Sequence, residues 1–321
     1  MTTALITGVY GQDGAYLSRR LLSEGCRVVG LKLEGPVPAA LSDHLDGVEL
    51  VDGDVTDVGG MGALLDAVRP DEVYNLAGLS SVAQSWSDPS VTAEVNGLAV
   101  VRLLELLRER AGSIPARFVQ ASSAEMFGSP AESPQRETTP LAPTSPYGLA
   151  KAFAHQYVGL SRNHFGLHAS SLILYNHESP LRPTAFVTRK ISAGVAAISR
   201  GRQDRLVMGS LDVTRDWGFA GDYVDAMVRA ARHDVASDYV VATGVAHTLR
   251  ELLDAAFARV GIADWSGLVT TDPAFVRPVE ISSMVGDATK ARDVLGWSPT
   301  TTFADLVAAM VDHDLALLDA D

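Results

Sequence analysis

A short apolar run, Ala4-Leu5-Ile6, leads directly into Thr7-Gly8-Val9-Tyr10-Gly11-Gln12-Asp13-Gly14, and an amphipathic stretch follows from Tyr16 to Leu22. A buried strand that turns on three glycines into a helix leaves few folds open. Gly8 permits the tight turn, Gly11 lets backbone approach a pyrophosphate, and Gly14 allows the helix to pack closely on the strand. The helix N-terminus then offers amide donors and a favourable dipole to phosphate. A three-glycine spacing can also be a turn that binds nothing. Here it heads a series of strands and helices, and that context predicts a dinucleotide-binding turn.

The series continues with strands at Arg27 to Leu31, Val48 to Val51, Glu72 to Leu76, Arg117 to Ala121 and Ala169 to Tyr175. Helices are expected at Met61 to Val68, Ala93 to Arg110 and Pro146 to Phe165. In the second of these, apolar Val95, Leu98, Val101, Leu104 and Leu107 recur three apart. Strands alternating with helices predict an α/β fold, a Rossmann-like doubly wound parallel sheet covered on both faces. After about Asn176 the rhythm breaks. His177 to Thr184 and Pro273 to Asp287 read as irregular, and two further helices are expected at Leu249–Val260 and Phe303–Leu318. The expected organisation is a nucleotide-binding domain over 1–176, with 210–243 contributing to it. A smaller C-terminal substrate-binding domain is expected from 177–209 and 244–321.

Composition removes whole classes of function. Lys and Arg number 26 against 39 Asp and Glu, a formal charge of −13, so a basic groove for nucleic acid is not expected. The single cysteine, Cys26, excludes an internal disulfide framework and any multi-thiolate metal site. His164 and His168 flank Gly166, which argues for a turn rather than a metal site. No apolar run reaches the roughly 18 residues of a membrane span. The N-terminus lacks a signal-peptide pattern. A cytoplasmic enzyme with no metal is the expectation.

Chemistry gathers at the ends of later strands. Tyr147 and Lys151 stand four apart and so share a helix face. An ammonium beside a phenol favours the phenolate, which can take a proton from a sugar hydroxyl. Ser123 closes the fifth strand, where open α/β sheets place their ligands, and can hydrogen-bond the same hydroxyl. Glu125, two residues on, is a carboxyl able to serve as acid and base at a neighbouring carbon, or else a loop carboxylate capping a turn. At the end of the second strand, Glu34 suits a free ribose 2′-hydroxyl and hence NAD, whereas Lys32 suits the 2′-phosphate of NADP. Either can instead be a solvated surface charge. Asp54 sits where an adenine amino group could be met, or forms an ordinary Asx turn.

With Gly8, Gly11, Gly14, Ser123, Tyr147 and Lys151 together, the chain resembles the extended short-chain dehydrogenase/reductase superfamily. It is most similar there to the GDP-mannose 4,6-dehydratase family. The matching strings include TGVYGQDGAYL (7–17), QASSAEMFG (120–128), NHESP (176–180), FVTRKI (186–191), RDWGFAGDYV (215–224), VATG (241–244) and GDATKARDVLGW (286–297). The likeness spans nearly the whole chain. NHESP, FVTRKI and RDWG are more specific than the glycine turn, since most of the superfamily lacks them.

The resemblance implies conversion of a GDP-sugar to its 4-keto-6-deoxy form with a retained nicotinamide cofactor. Ser123, Glu125, Tyr147 and Lys151 would be catalytic. Gln12, Asp13, Val55, Leu76 and Ala77 would join the cofactor site, with Tyr147 and Lys151. Ser80, Ser85, Asn176, Val187, Lys190, Arg215, Arg277 and Glu280 would hold the nucleotide-diphosphate sugar, cations suiting phosphate oxygens. Read without the resemblance, Arg189 and Lys190 form a solvated helix face, and Arg215 and Arg277 are surface ion pairs.

Departures from the family pattern shift three expectations. Leu33-Glu34 stands where the family carries paired arginines that assist NADP binding and tetramer contacts, and the loop after the second strand is short. NADP is the family's cofactor, but these losses favour NAD, and a homodimer over a tetramer. Pro183 replaces a usual glycine beside the diphosphate-binding helix, and Ser123-Ala124-Glu125 replaces Thr-Ser-Glu, so the recognised sugar can differ from GDP-mannose. Two other functions compete: the related 4-keto-6-deoxy-sugar reductase, and a catalytically silent cofactor sensor. The intact serine, glutamate, tyrosine and lysine set weighs against the sensor.

Overall fold

The structure, a computed structural model, describes residues 1–272 and 283–320. The first six strands are β1 (Thr3–Thr7), β2 (Arg27–Lys32), β3 (Glu49–Asp52), β4 (Glu72–Asn75), β5 (Arg117–Ser123) and β6 (Ala169–Leu174). Then come β7 (Asn176–Glu178), β8 (Leu206–Met208), β9 (Thr214–Phe219) and β10 (Asp238–Val241). The last three are β11 (Ala246–Thr248), β12 (Val269–Thr271) and β13 (Ser283–Met284). A seven-stranded sheet runs in the order β10-β6-β5-β4-β1-β2-β3, and each of its pairings is parallel. The order reverses between β1 and β4, and the crevice beyond their carboxyl ends is where such sheets take ligands.

Both faces of the sheet are covered, as a parallel sheet requires. Along β1 the side chains alternate between the two layers: Ala4 and Ile6 join one core cluster, Leu5 the other. Helices Gln12–Ser23, Ala220–Arg232 and Thr289–Leu295 cover the first face. Val58–Val68, Ala99–Arg110 and Pro146–Phe165 cover the second. Helix 220–232 and β10 thus lie with the main sheet. By contrast β9, also within the 210–243 stretch, belongs to a separate four-stranded sheet with β7, β11 and β13. Helices Val187–Ser199, Leu249–Arg259 and Phe303–Ala320 pack around a third core that includes Val195, Trp217, Leu253, Phe257 and Met310.

Two expectations need correction. The helix expected over 93–110 is interrupted by a wide, π-type turn at Glu94–Leu98. The extra residue rotates the stripe, so Leu98 is 40 % exposed while Asn96, Val100, Leu103, Leu104 and Leu107 face inward. A strict spacing of three also drifts around a helix of 3.6 residues per turn. Secondly, His177–Thr184 is not wholly irregular, because β7 pairs in parallel with β9, Asn176 opposite Trp217. Among the described residues no helix is long and apolar enough to cross a membrane.

Candidate active site

Gly8 adopts φ +71°, and a Cβ there would lie 2.7 Å from the backbone nitrogen of Ala77. Side-chain-free backbone is therefore what lets the turn after β1 meet the end of β4. Thr7 Oγ1 completes that junction, accepting from Leu76 N at 3.2 Å and Ala77 N at 3.1 Å. At Gly14 a Cβ would sit 2.6 Å from Val9 Cα, so the third glycine does serve close packing. Gly11 precedes helix 12–23 and no side chain caps that helix. Its first amides are thus left for a ligand, and an anionic pyrophosphate fits them.

The catalytic candidates converge on one cavity of about 670 Å³ at the carboxyl end of the sheet, lined by Ser123, Glu125, Tyr147 and Lys151. Helix 146–165 begins with Pro146 after Ser145, whose hydroxyl accepts from Gly148 N at 3.0 Å. Ser123 caps the turn that follows β5, accepting from Glu125 N at 3.2 Å. The two segments can touch because residue 148 is glycine: a Cβ there would be 2.5 Å from the Glu125 carbonyl oxygen. That contact sets the half-buried Glu125 beside the first turn of the tyrosine helix.

Tyr147 is buried, and burial pushes its phenol up to about 12, while the neighbouring Ser123 hydroxyl pulls the other way. Lys151 donates to the Ala121 carbonyl at 2.9 Å, and its Nζ lies 5.9 Å from the centre of the Tyr147 ring. Burial lowers the lysine to about 8, opposed by the Asp13 carboxylate. A positive charge beside the ring remains available at neutral pH to stabilise a phenolate.

The remaining candidates divide into four groups. Asp13, Leu76, Ser80, Asn176, Val187, Lys190 and Arg215 line the cavity. Arg215 is buried rather than on the surface; its Nη1 donates to Thr214 O at 2.9 Å. Lys190 Nζ donates to Val207 O at 2.6 Å. Ser85 and Gln12 are turned elsewhere. The buried Ser85 hydroxyl donates to Val82 O at 2.7 Å and accepts from Tyr147 N at 3.2 Å, so it seats helix 146–165. Gln12 spans to the segment after β6, donating to His177 O at 3.0 Å and accepting from Ser179 Oγ at 2.6 Å. At the far end of the turn, Lys32 pairs with Asp52 and donates to Gly35 O at 2.9 Å, and Glu34 is exposed. Asp54 forms an Asx turn, accepting from Thr56 N at 2.8 Å, with the half-buried Val55 inside it. Arg277 and Glu280 lie outside the described residues.

Reading the sequence missed three contributors. His177 and Arg182 line the cavity. The His177 Nε2 is 2.9 Å from Asp13 Oδ2, its Nδ1 contacts Tyr175 O at 2.7 Å, and its ring stacks on Tyr223. Burial works against charge on both partners. The mutual attraction prevails, holding Asp13 below the usual carboxylate range and His177 above the usual imidazole one. The third is Asn96, buried in the π-type turn. It accepts from Leu79 N at 2.8 Å and donates to Leu79 O at 2.9 Å, pinning the loop that bears Ser80. Functional sites commonly use such turns.

The sequence profile of the family described as "GDP-mannose 4,6 dehydratase" matches residues 5–310. The chain is 43 % identical to GDP-mannose 4,6 dehydratase 1 of Arabidopsis thaliana, covering 98 % of this chain and 90 % of that one. Identity to the GDP-mannose 4,6-dehydratase of Sinorhizobium fredii is 41 %, over 98 % and 97 % of the two chains. Among solved structures, a Thermus thermophilus UDP-glucose 4-epimerase in complex with NAD superposes with a TM-score of 0.84. It is 27 % identical and covers 98 % of this chain and 99 % of that one. The profile match spans residues 5–310 and the relatives cover nearly the whole chain: the chain belongs to the GDP-mannose 4,6-dehydratase family.

Proposed function

We propose that this chain dehydrates a nucleotide-diphosphate sugar, GDP-mannose or a close relative, to its 4-keto-6-deoxy form. The observation that carries the reading is the carboxyl of Glu125 in the same cavity as Ser123, Tyr147 and Lys151. Oxidation at one carbon needs only the last three. A carboxyl beside them supplies the acid and base that loss of water requires. The glycine turn, with its uncapped helix N-terminus, fits a dinucleotide pyrophosphate, and a nicotinamide held there would take up and return hydride within a turnover.

Tyr147 takes the proton from the sugar O4, with Ser123 hydrogen-bonding the same hydroxyl and the Lys151 charge stabilising the phenolate. Ketone formation at C4 acidifies the C5 proton. Glu125 removes it and returns a proton to the leaving hydroxyl at C6, so water departs. With the hydride that a bound nicotinamide would return at C6, a proton that Glu125 regains from solvent would complete C5, while Tyr147 releases the O4 proton to solvent. The sum is loss of one water with no net oxidation. Asn176, Lys190 and Arg215, all on the cavity wall, would hold the sugar nucleotide, the two cations suiting its diphosphate.

NAD is the proposed cofactor. The Lys32 ammonium is engaged by Asp52, and the exposed Glu34 would repel a 2′-phosphate. A charge-assisted hydrogen bond to that phosphate is worth about 1.5–3 kcal/mol when desolvated, so a lysine already committed to Asp52 weakens the case for NADP. Selective NADP binding in calorimetry would overturn that assignment. The proposed assembly is a homodimer.

The function is tested by incubating the protein with GDP-mannose and no added reductant, and by mass spectrometry of nucleotides that co-purify. A 4-keto-6-deoxy product supports the reading. No reaction until a keto-sugar and reduced cofactor are supplied would identify a reductase instead, and neither activity would identify a sensor.

A further inference from the structure

Arg189 departs most sharply from its expected surroundings. In place of a solvated helix face, it is 7 % exposed and its partner Asp314 is 4 % exposed. The guanidinium meets the Asp314 carboxylate through Nη2 at 2.6 Å and through Nε at 3.0 and 3.1 Å. Ser192 adds a hydrogen bond to Asp314 at 2.6 Å. This leaves Nη1, and it donates to two carbonyls of the loop after β7, Pro180 O at 2.6 Å and Arg182 O at 2.9 Å.

That loop carries Arg182 into the cavity wall. Its guanidinium lies 3.6 Å from the centre of the Phe186 ring, and its Nε is 3.2 Å from Glu178 Oε2. Three restraints fix the backbone there. Arg189 grips the carbonyl of Arg182 itself. Gln12 grips the start of the loop through the Ser179 hydroxyl, which also accepts from Leu181 N at 3.1 Å. Pro183 restricts the backbone of the residue before it. A planar guanidinium in fixed orientation suits a diphosphate by paired charge-assisted hydrogen bonds.

We infer that the buried Asp314–Arg189 pair is a positioning device that holds Arg182 in register with a diphosphate-bearing ligand in the cavity. Asp314 stands on the last helix, Phe303–Ala320, outside the cavity lining, and reaches it through Arg189 and the loop that Arg189 holds. A buried ion pair adds little net stability compared with apolar residues of the same shape, so its use here is orientation. The diphosphate can come from the sugar nucleotide or from the dinucleotide. The proposal rests on the cavity being the nucleotide site, not on dehydration taking place there.

Calorimetry of the full chain with GDP alone, and separately with NAD, tests it in the wild type, Asp314→Asn, Arg182→Ala and the double variant. The expected result is a loss of 10-fold or more for one of the two ligands in Asp314→Asn, which names the source. That loss should shrink to less than 2-fold when Arg182 is already alanine, because coupled residues are non-additive. Equal losses in both backgrounds, or unchanged binding of both ligands, would overturn the proposal. If Asp314→Asn does not fold, Arg189→Lys keeps the charge opposite Asp314 but cannot span two carbonyls and a carboxylate. It should reproduce the same loss and the same non-additivity. Wild-type binding of GDP without dehydration of GDP-mannose would remove the dehydratase reading and leave this one standing.

Discussion

At the residue scale, the proposed cycle gives its two ends to different side chains, and their loss should stall different steps. Tyr147→Phe removes the base for O4, so even the first hydride transfer should slow by roughly 10²–10⁴-fold, measured by cofactor absorbance in a single turnover. Glu125→Gln keeps size and hydrogen bonding but cannot take the C5 proton. It should oxidise C4, accumulate reduced cofactor and fail to release water. Near wild-type turnover by Glu125→Gln would make that carboxylate structural. Lys151 yields a stability test. Its folded value of about 8 lies below the ordinary 10.5, so the unfolded chain binds the extra proton between those limits. Stability should therefore rise with pH from about 8 to about 10.5, by up to roughly 3 kcal/mol from this group. Tyr147, raised to about 12, acts with the opposite sign above pH 10. Lys151→Met should flatten the rise in urea midpoint between pH 8 and 10; an unchanged slope would contradict the assignment. These four residues were legible because Tyr147 and Lys151 share one helical period and Ser123 and Glu125 follow one strand. His177, Arg189 and Asp314 were not, because their meaning lies in partners far along the chain: Asp13 for His177, and Asp314, 125 residues away, for Arg189.

At the scale of elements, glycine positions state their reasons directly. Gly8→Ala would force a Cβ into a left-handed backbone and against Ala77 N, so two penalties add. The variant should lose about 2 kcal/mol or more in urea denaturation and bind cofactor more weakly; full stability with unchanged affinity would show that the turn relaxes freely. The first six strands of the main sheet were readable because each is a short apolar run bounded by turn residues, whereas its seventh, β10, was not. Helix 94–110 was readable only in outline. Its π-type turn places Asn96 under the Leu79 backbone, a demand set by tertiary structure that no local propensity announces. The small strands after residue 176 were missed for a related reason. At two to six residues they carry too little periodicity, and β9 is recognisable chiefly by what it holds. Its Asp216 accepts from Thr243 N at 2.9 Å and Gly244 N at 2.8 Å, and Gly218 leaves room for the Tyr223 ring, 2.4 Å from where a Cβ would be. Strings that look independent in the sequence, RDWG and VATG, are thus two sides of one contact.

For the molecule as a whole, what remains exposed bears on assembly. Helix 146–165 turns Leu149, Phe153 and Leu160 outward at 64, 46 and 47 % exposure, spaced 4 and 7 residues apart and so along one face. The adjoining π-type turn adds Leu98, with Gly97 packed on the Phe153 ring. Apolar side chains gathered on two neighbouring helices mark an interaction surface more than scattered ones would. Because the surface lies on the outer side of the catalytic helix, a second copy docking by a two-fold axis would bury it without closing the cavity. The short loop after β2 leaves less from which to build a second interface. The expected species is therefore two copies of the 34.0 kDa chain. Light scattering at micromolar concentration should give that mass for the wild type. Replacing Leu149 and Leu160 by lysine should halve it, because like charges would face each other across the axis, while the unfolding midpoint of the isolated chain shifts little for exposed sites. A stable wild-type tetramer, or a double variant that stays dimeric, would place the interface elsewhere.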